Sequence, residues 1–318
     1  MKLEAASSEE KVARDRLTHR EWGKNLSIDQ YLVREQTLGA RPWAQDGMTT
    51  WLLRDEQNTI LASCETYKMN SCTNSNGRSQ KGHTYGVASV FTEPSLRGHG
   101  YAGETMSRLN EKLRETDPLA QAIILYSEIG DSLYKRSGYE PCDSWGRFFK
   151  AESRRKPRPS GLRLLTEAEL YSHHDKLQPP SHPFCIWPSA AQLDWHFARE
   201  GIYSNLLSRS RPRYSGAALE DASMGWTVDF KYSILNVLFF RSQSSELASE
   251  LIAEARDTAA SLQIGEVRIW EKEEFGEWNQ LSVTGERRYM NGFIAMIHPI
   301  VPSANAKNWK LISSSTWI

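Results

Sequence analysis

Hydrophobic positions are grouped unevenly along the chain. Residues 1–20 carry little periodicity and predict only a charged, frayed helix with no role. From Ser27 the pattern sharpens. Ser27 and Gln30 are spaced as a capping box, Ile28, Tyr31, Leu32, Glu35 and Leu38 recur at helical intervals with one polar member, and Gly39 can close the end. This helix is expected to line a substrate cleft. Apolar runs at 50–53 and 59–67 around the polar turn 55–58 predict an antiparallel hairpin. The Ser-, Asn- and Gly-rich stretch 70–82 reads as a solvated, mobile loop before a buried strand over 83–91.

The stretch 87–102 organises the first half. Its apolar run ends at Pro94, and Arg97-Gly98-His99-Gly100-Tyr101-Ala102 opens a helix. Two glycines let backbone N–H groups converge, and the helix behind adds its positive end, so the turn reads as a phosphate cradle. Ala102, Met106, Leu109 and Leu113 put one apolar stripe on the sheet, and Asp117-Pro118 stops the helix. A short apolar run at 122–126 suits a strand covered on both faces. A small helix over 133–137, closed by Gly138, completes an α/β unit.

Residues 151–161 mix charge, proline and glycine and predict a linker, dividing the chain into domains at 1–150 and 162–318. In the second half, 232–240 reads as a buried strand. Ser244 or Ser245 can cap a helix to Leu262, with Leu247, Leu251, Ile252 and Ala255 on one face, and 266–270 forms the next strand. The order repeats that around the cradle, but the connection 241–244 has no glycine, so this copy is expected to bind no cofactor.

With 318 residues, 39 basic and 39 acidic, the chain is long enough for two cores and carries no net charge. No basic stripe points to nucleic acid or an anionic membrane, so a small-molecule partner is expected. Cys64, Cys72, Cys142 and Cys185 lack metal-ligand spacing and read as reduced, inert thiols; His173, His174 and His182 likewise suggest no metal. The polar start and the absence of a long apolar stretch predict a cytoplasmic protein.

On the motif Arg97-Gly98-x-Gly100-x-Ala102, followed by Leu133-Tyr134-x-x-x-Gly138-Tyr139, the chain resembles the GCN5-related N-acetyltransferases (GNAT) over residues 51–149. The resemblance implies an α/β (α+β) fold with a mixed central sheet and acetyl-CoA as acyl donor. Arg97, Gly98, His99, Gly100, Tyr101 and Ala102 would then hold the pyrophosphate, and Ala88, Ser89 and Val90 would offer backbone to the pantetheine arm from a strand splayed from its neighbour. Tyr134 matches the family's general acid. Many relatives place a glutamate on the central strand, but here it reads Val87-Ala88-Ser89-Val90. Glu65, Glu128, Asp131, the C-terminal carboxylate of Ile318, or a water chain remain as candidates for the base.

The two-domain plan is similar to that of the fungal lysine N6-acetyltransferases of lysine catabolism. The similarity lies in the run 50–69, the run 125–142, and Trp187-Pro188, Gln192-Leu193-Asp194-Trp195-His196 and Arg199-Glu200. It implies a C-terminal, degenerate GNAT-like domain that shapes the acceptor pocket, with Trp187, Trp195 and His196 as lining candidates and the side-chain amine of free L-lysine as acceptor. A tailoring enzyme acylating another amine or a hydroxyl, or dispensing with CoA, and a non-catalytic binding domain are the alternatives; intact Arg97, Gly98, Gly100 and Tyr134 argue against the last.

Overall fold

A computed structural model of the chain describes residues 1–24, 26–75, 77–178, 182–271, 278–290, 292–309 and 316. In chain order its strands are β1 (Lys2–Ala5), β2 (Met48–Arg54), β3 (Ile60–Ser75), β4 (Arg78–Phe91), β5 (Ala120–Ser127), β6 (Glu140–Pro141), β7 (Trp145–Lys150), β8 (Arg163–Leu165), β9 (Phe184–Ile186), β10 (Gly216–Leu219), β11 (Ala222–Asp229), β12 (Ile234–Arg241), β13 (Glu266–Trp270), β14 (Glu286–Tyr289) and β15 (Ile294–Pro299). The helices are α1 (Ser8–Trp22), α2 (Ile28–Gly39), α3 (Pro42–Gly47), α4 (Tyr101–Thr116), α5 (Ser132–Arg136), α6 (Glu167–His174), α7 (Ala190–Leu206) and α8 (Ser245–Ser261).

The strands form two mixed sheets. The first runs β1-β2-β3-β4-β5-β15-β6, with β9 on β3; the second runs β14-β7-β13-β12-β11-β10-β8. In each, antiparallel strands lead to one parallel pair, β4 with β5 and β12 with β13, bridged by α4 and α8. The expected α/β fold with a repeated second half is what the chain adopts. Met106 and Leu109 on α4 are fully buried against Leu53, Ile123 and Met296, and Leu251, Ile252 and Ala255 on α8 against Trp226, Leu235 and Val267. Both apolar stripes therefore do what their spacing predicts.

Sheet membership crosses the expected boundary at residue 150. β7, which follows the first unit in sequence, pairs with β13 in the second sheet, and β15 returns from the far end to pair with β5 in the first. The fully buried Phe149 of β7 sits in the core around α8, while Ala295, Met296 and Ile297 cover β5. A third cluster draws Trp43, Tyr67, Phe184, Trp195 and Trp270 from both halves. The segment 151–161 thus joins two strands of one sheet. It is also pinned: Arg154 and Arg158 each reach Glu254 of α8 at 2.9 Å, and the Arg154 amide donates to Asp257 at 2.9 Å.

Two further expectations are corrected. Residues 1–20 are not frayed. β1 adds an edge strand to β2, and Ser7 and Glu10 form a capping box that starts α1. The buried face of α1 is polar (Arg14, Asp15, Thr18), which hides it from a hydrophobic pattern. Nor is 70–82 a loop: β3 and β4 pair as far as Ser75 and Arg78, and β9 covers Ser71, Cys72 and Thr73. The polar side chains are satisfied inside the sheet; the Ser71 hydroxyl donates to Gln121 at 2.9 Å, and the Gln121 amide donates to the Gln80 carbonyl at 2.9 Å. Among the described residues, no helix is long and apolar enough to cross a membrane.

Candidate active site

The cradle is built as its sequence dictates. Gly98 and Gly100 have φ of +87° and +79°, a region that costs an L side chain roughly 1–2 kcal/mol. Gly100 is the N-cap of α4 and supplies no capping side chain, so the first amides of the helix stay available to an anion. At the corresponding turn of the second unit, the Ser244 hydroxyl accepts from the Leu247 amide and caps α8 with its own side chain. One copy presents its helix terminus and the other closes it.

In front of the cradle lies a groove of about 940 Å³, lined by Arg97, Gly98, Gly100, Tyr101 and Ala102 among others. Arg97 stands on its rim, 54% exposed, donating to the Thr92 carbonyl at 3.1 Å and paired with Glu21 of α1 at 2.8 Å. His99 does not line the groove; its ring stacks on Tyr101 at 5.7 Å between centroids. Beyond the groove the sheet opens. The β4–β5 ladder ends at Val87 with Leu125, while Tyr126 and Ser127 pair with β15. That ladder leaves Ala88, Ser89 and Val90 unpaired, which is the splay the resemblance implied. Ser89 sits at φ +53° in the bulge opposite Ser63 and Glu65, and its carbonyl accepts from Arg14 at 2.9 Å.

A second cavity, of about 360 Å³, lies between the two units. It meets the groove at Glu21, Trp22, Val90, Glu128, Ile129 and Tyr134, which line both. Tyr134 is thus at the junction, buried to 7% exposure and packed edge-on against Tyr139 at 6.0 Å. Burial, with the charges of Cys64 and Glu128 adding to it, pushes its phenol up to about 12, so it is protonated at neutral pH. Residues fit to hold acetyl-CoA are therefore in place: an uncapped helix terminus, glycines where a Cβ is unwelcome, and open strand backbone leading to the phenol.

One wall of the cavity is ionic. Carboxylate oxygens of Asp15, Glu35 and Glu65 lie within 4.8 Å of one another. Each has a cation: Lys11 on Asp15 at 2.7 Å, Arg14 on Glu65 at 2.7 Å, and the Arg34 Nε on Glu35 at 2.9 Å. Burial works to lower the Arg14 pKa, but the charges of Glu65 and Asp15 outweigh it and hold the group above its ordinary value. Glu35 is raised, chiefly by burial and against the pull of Arg34. Arg199, Lys231 and Tyr232 line the cavity from the second unit.

The sequence-derived candidates fare differently. Glu65 lies in the cavity wall, committed to Arg14, and Glu128 stands exposed at the junction. Asp131 pairs with Lys135 at 2.5 Å and lines neither space. Trp195 lines the cavity within a cluster with Trp43 and Tyr67 at 5.7 and 5.9 Å. His196 instead borders a separate space of about 30 Å³ beside Glu200, and Trp187 stacks on His174 at 4.9 Å, away from the cavity. His196 sits on α7 and Trp187 in the connection between β9 and α7, placements that motif position alone does not reveal. Ile318 falls outside the described residues; Thr316 is described, buried in the cavity against the Tyr126 hydroxyl. Sequence reasoning missed Arg14, Arg34, Lys231 and Tyr232. Glu35 had a signal, as the polar member of an otherwise apolar stripe on α2.

A family model described as the LYC1 GNAT-like C-terminal domain matches residues 150–285. A lysine acetyltransferase of Yarrowia lipolytica is 24% identical over 342 aligned residues, covering 88% of this chain and 86% of its own length. The chain is thus similar to GCN5-related N-acetyltransferases, over residues 150–285 by the family model and over most of its length by this relative. Among solved GNAT-like structures, a probable N-acyltransferase from Enterococcus faecalis superposes with a TM-score of 0.63 at 13% identity, covering 94% of this chain and 72% of that one. A GCN5-related N-acetyltransferase from Anabaena variabilis gives 0.59 at 15% identity, with 94% and 73% covered.

Proposed function

We propose that the protein transfers the acetyl group of acetyl-CoA directly to the side-chain amine of free L-lysine in a ternary complex. The observation that carries this reading is the junction at Tyr134, where a groove with a phosphate cradle opens into a cavity bearing carboxylates on one wall and cations on another. Glu35 and Glu65 match an ammonium, Arg199 and Lys231 match an amino-acid carboxylate, and Leu38, Tyr67 and Trp195 suit the methylene chain between them. The Yarrowia lipolytica relative carries the name lysine acetyltransferase, in agreement with that complementarity.

Bound acetyl-CoA would supply an activated thioester. The chain's own residues do the rest. The amides at the start of α4 hold negative charge, and the open backbone at 88–90 orients the pantetheine arm. Glu35, whose pKa is raised chiefly by burial against the pull of Arg34, lines the cavity as the group that takes the ammonium proton. Tyr134 keeps a proton on Oη for the departing sulfur.

A thiol-release assay with acetyl-CoA tests the proposal. L-lysine should be turned over, and cadaverine, which lacks the carboxylate, should show a higher KM. Release only with other amines or with hydroxyl acceptors would overturn the lysine assignment, and failure to bind CoA would overturn the donor assignment.

A further inference from the structure

Outside the catalytic cavity, two of the four cysteines meet across a strand pair. Cys72 of β3 stands directly opposite Cys185 of β9 in an antiparallel ladder, so both side chains leave the same face. The backbone bonds from Asn74 to Pro183 and from Trp187 to Asn70 place this pair at the hydrogen-bonded type of position. Cα atoms there stand about 5.5 Å apart, inside the range of about 4.4–6.8 Å that a disulfide spans. Cys185 is fully buried, whereas Cys72 is partly open to solvent.

We propose that Cys72 and Cys185 form a reversible dithiol–disulfide site, oxidised by hydroperoxides, that fastens β9 of the second half onto the first sheet. The assignment does not rest on the acetyl-transfer reading. Cys72 is the attacking sulfur. A hydrogen bond from the Cys185 thiol, working against burial, lowers its pKa to about 6, with Asn74, His182 and Lys81 acting in the same sense. The Asn74 side-chain amide lies 3.8 Å from the Cys72 sulfur, and Lys81 is its opposite number on β4. Cys64 and Cys142 are buried in other clusters with raised pKa values, chiefly from burial, and have no sulfur facing them across a strand.

The chemistry balances. The Cys72 thiolate attacks one oxygen of a hydroperoxide, the O–O bond breaks, and hydroxide or alkoxide leaves, giving a sulfenic acid. The Cys185 sulfur then attacks the Cys72 sulfur, the S–S bond forms as S–O breaks, and water leaves with the Cys185 proton. The dithiol is oxidised by two electrons and the peroxide is reduced. A low-molecular-weight thiol reverses the step. The bond would close a loop between β3, whose earlier residues Glu65 and Tyr67 line the acceptor cavity, and β9, which shares a cluster with Trp195.

The test uses the full chain treated with hydrogen peroxide at near-stoichiometric ratio, alkylated, digested and analysed by mass spectrometry. The expected result is a Cys72–Cys185 linked peptide, Cys64 and Cys142 alkylated only after denaturation, a raised Tm, and full reversal by dithiothreitol. Cys185→Ser should leave Cys72 as a sulfenic acid captured by a 1,3-dione, and Cys72→Ser should leave Cys185 reduced. A wild-type protein in which Cys72 is alkylated or carried to sulfinic acid without the linked peptide, or in which the linkage involves Cys64 or Cys142, overturns the proposal whether or not the variants fold.

Discussion

Replacing Tyr134 by phenylalanine removes one oxygen and tests the junction between groove and cavity. The ring stays 7% exposed and edge-on to Tyr139, so packing is preserved and the stability change should stay within about 0.5 kcal/mol. What is lost is a proton donor. With the phenol pushed up to about 12 by burial, only about one molecule in 10⁴ is ionised near pH 8, so the wild-type donor is saturated across the assay range. General acid catalysis contributes roughly 10²–10⁴-fold, or about 3–5 kcal/mol of barrier. Tyr134→Phe should therefore lower kcat by about 100-fold or more and leave the Kd for CoA within about twofold, since the hydroxyl acts on the leaving group and not on the cradle. The assay pairs steady-state thiol release with calorimetric CoA binding. A kcat within about threefold of wild type, with CoA binding intact, would refute the role.

Gly100→Ala places a methyl at φ +79° with no atom within 4 Å to clash with, so its cost is backbone strain of about 1–2 kcal/mol and loss of the approach to the helix amides. CoA affinity should fall about tenfold, whereas Gly77→Ala, at φ +73° in the β3–β4 turn, carries the same strain and should leave CoA binding unchanged; equal effects would deny the cradle its role. The reciprocal strand exchange makes each half incomplete. A fragment 1–161 lacks β15 and exposes the edge of β5, so it should aggregate alone and recover with 162–318 present, read by size exclusion and thermal melts; a cooperatively folding monomer of 1–161 would contradict this. His174 is buried between Trp187 and Phe239, each at 4.9 Å, and burial lowers its pKa to about 4. A depressed folded pKa gives stability that is present above about 6.5 and lost as pH falls toward 4, about 2 kcal/mol between pH 8 and pH 5. Denaturant titrations of His174→Phe should show a shallower loss over that window, and an unchanged slope would exclude His174 as its source.

The sequence by itself determined the features whose causes are local. Gly98 and Gly100 dictate a left-handed turn that few other residues tolerate, the spacing of Met106, Leu109 and Leu113 fixes the buried face of α4, and Leu251, Ile252 and Ala255 do the same for α8. Tyr134 stood out by its match to the motif Leu133-Tyr134-x-x-x-Gly138-Tyr139, and Glu35 showed as a polar member of an apolar stripe. Only the tertiary structure decided which strand completes which sheet, because an edge such as β5 specifies a partner's hydrogen-bonding pattern and not its position in the chain. The same holds for α1, whose buried Arg14 is paired with Glu65 of β3, far away in sequence, while Asp15 has Lys11 one turn earlier on the same helix. It holds also for the sorting of Trp195 from Trp187 and His196, and for Cys72 and Cys185, which read as scattered thiols until the β3–β9 register sets them face to face.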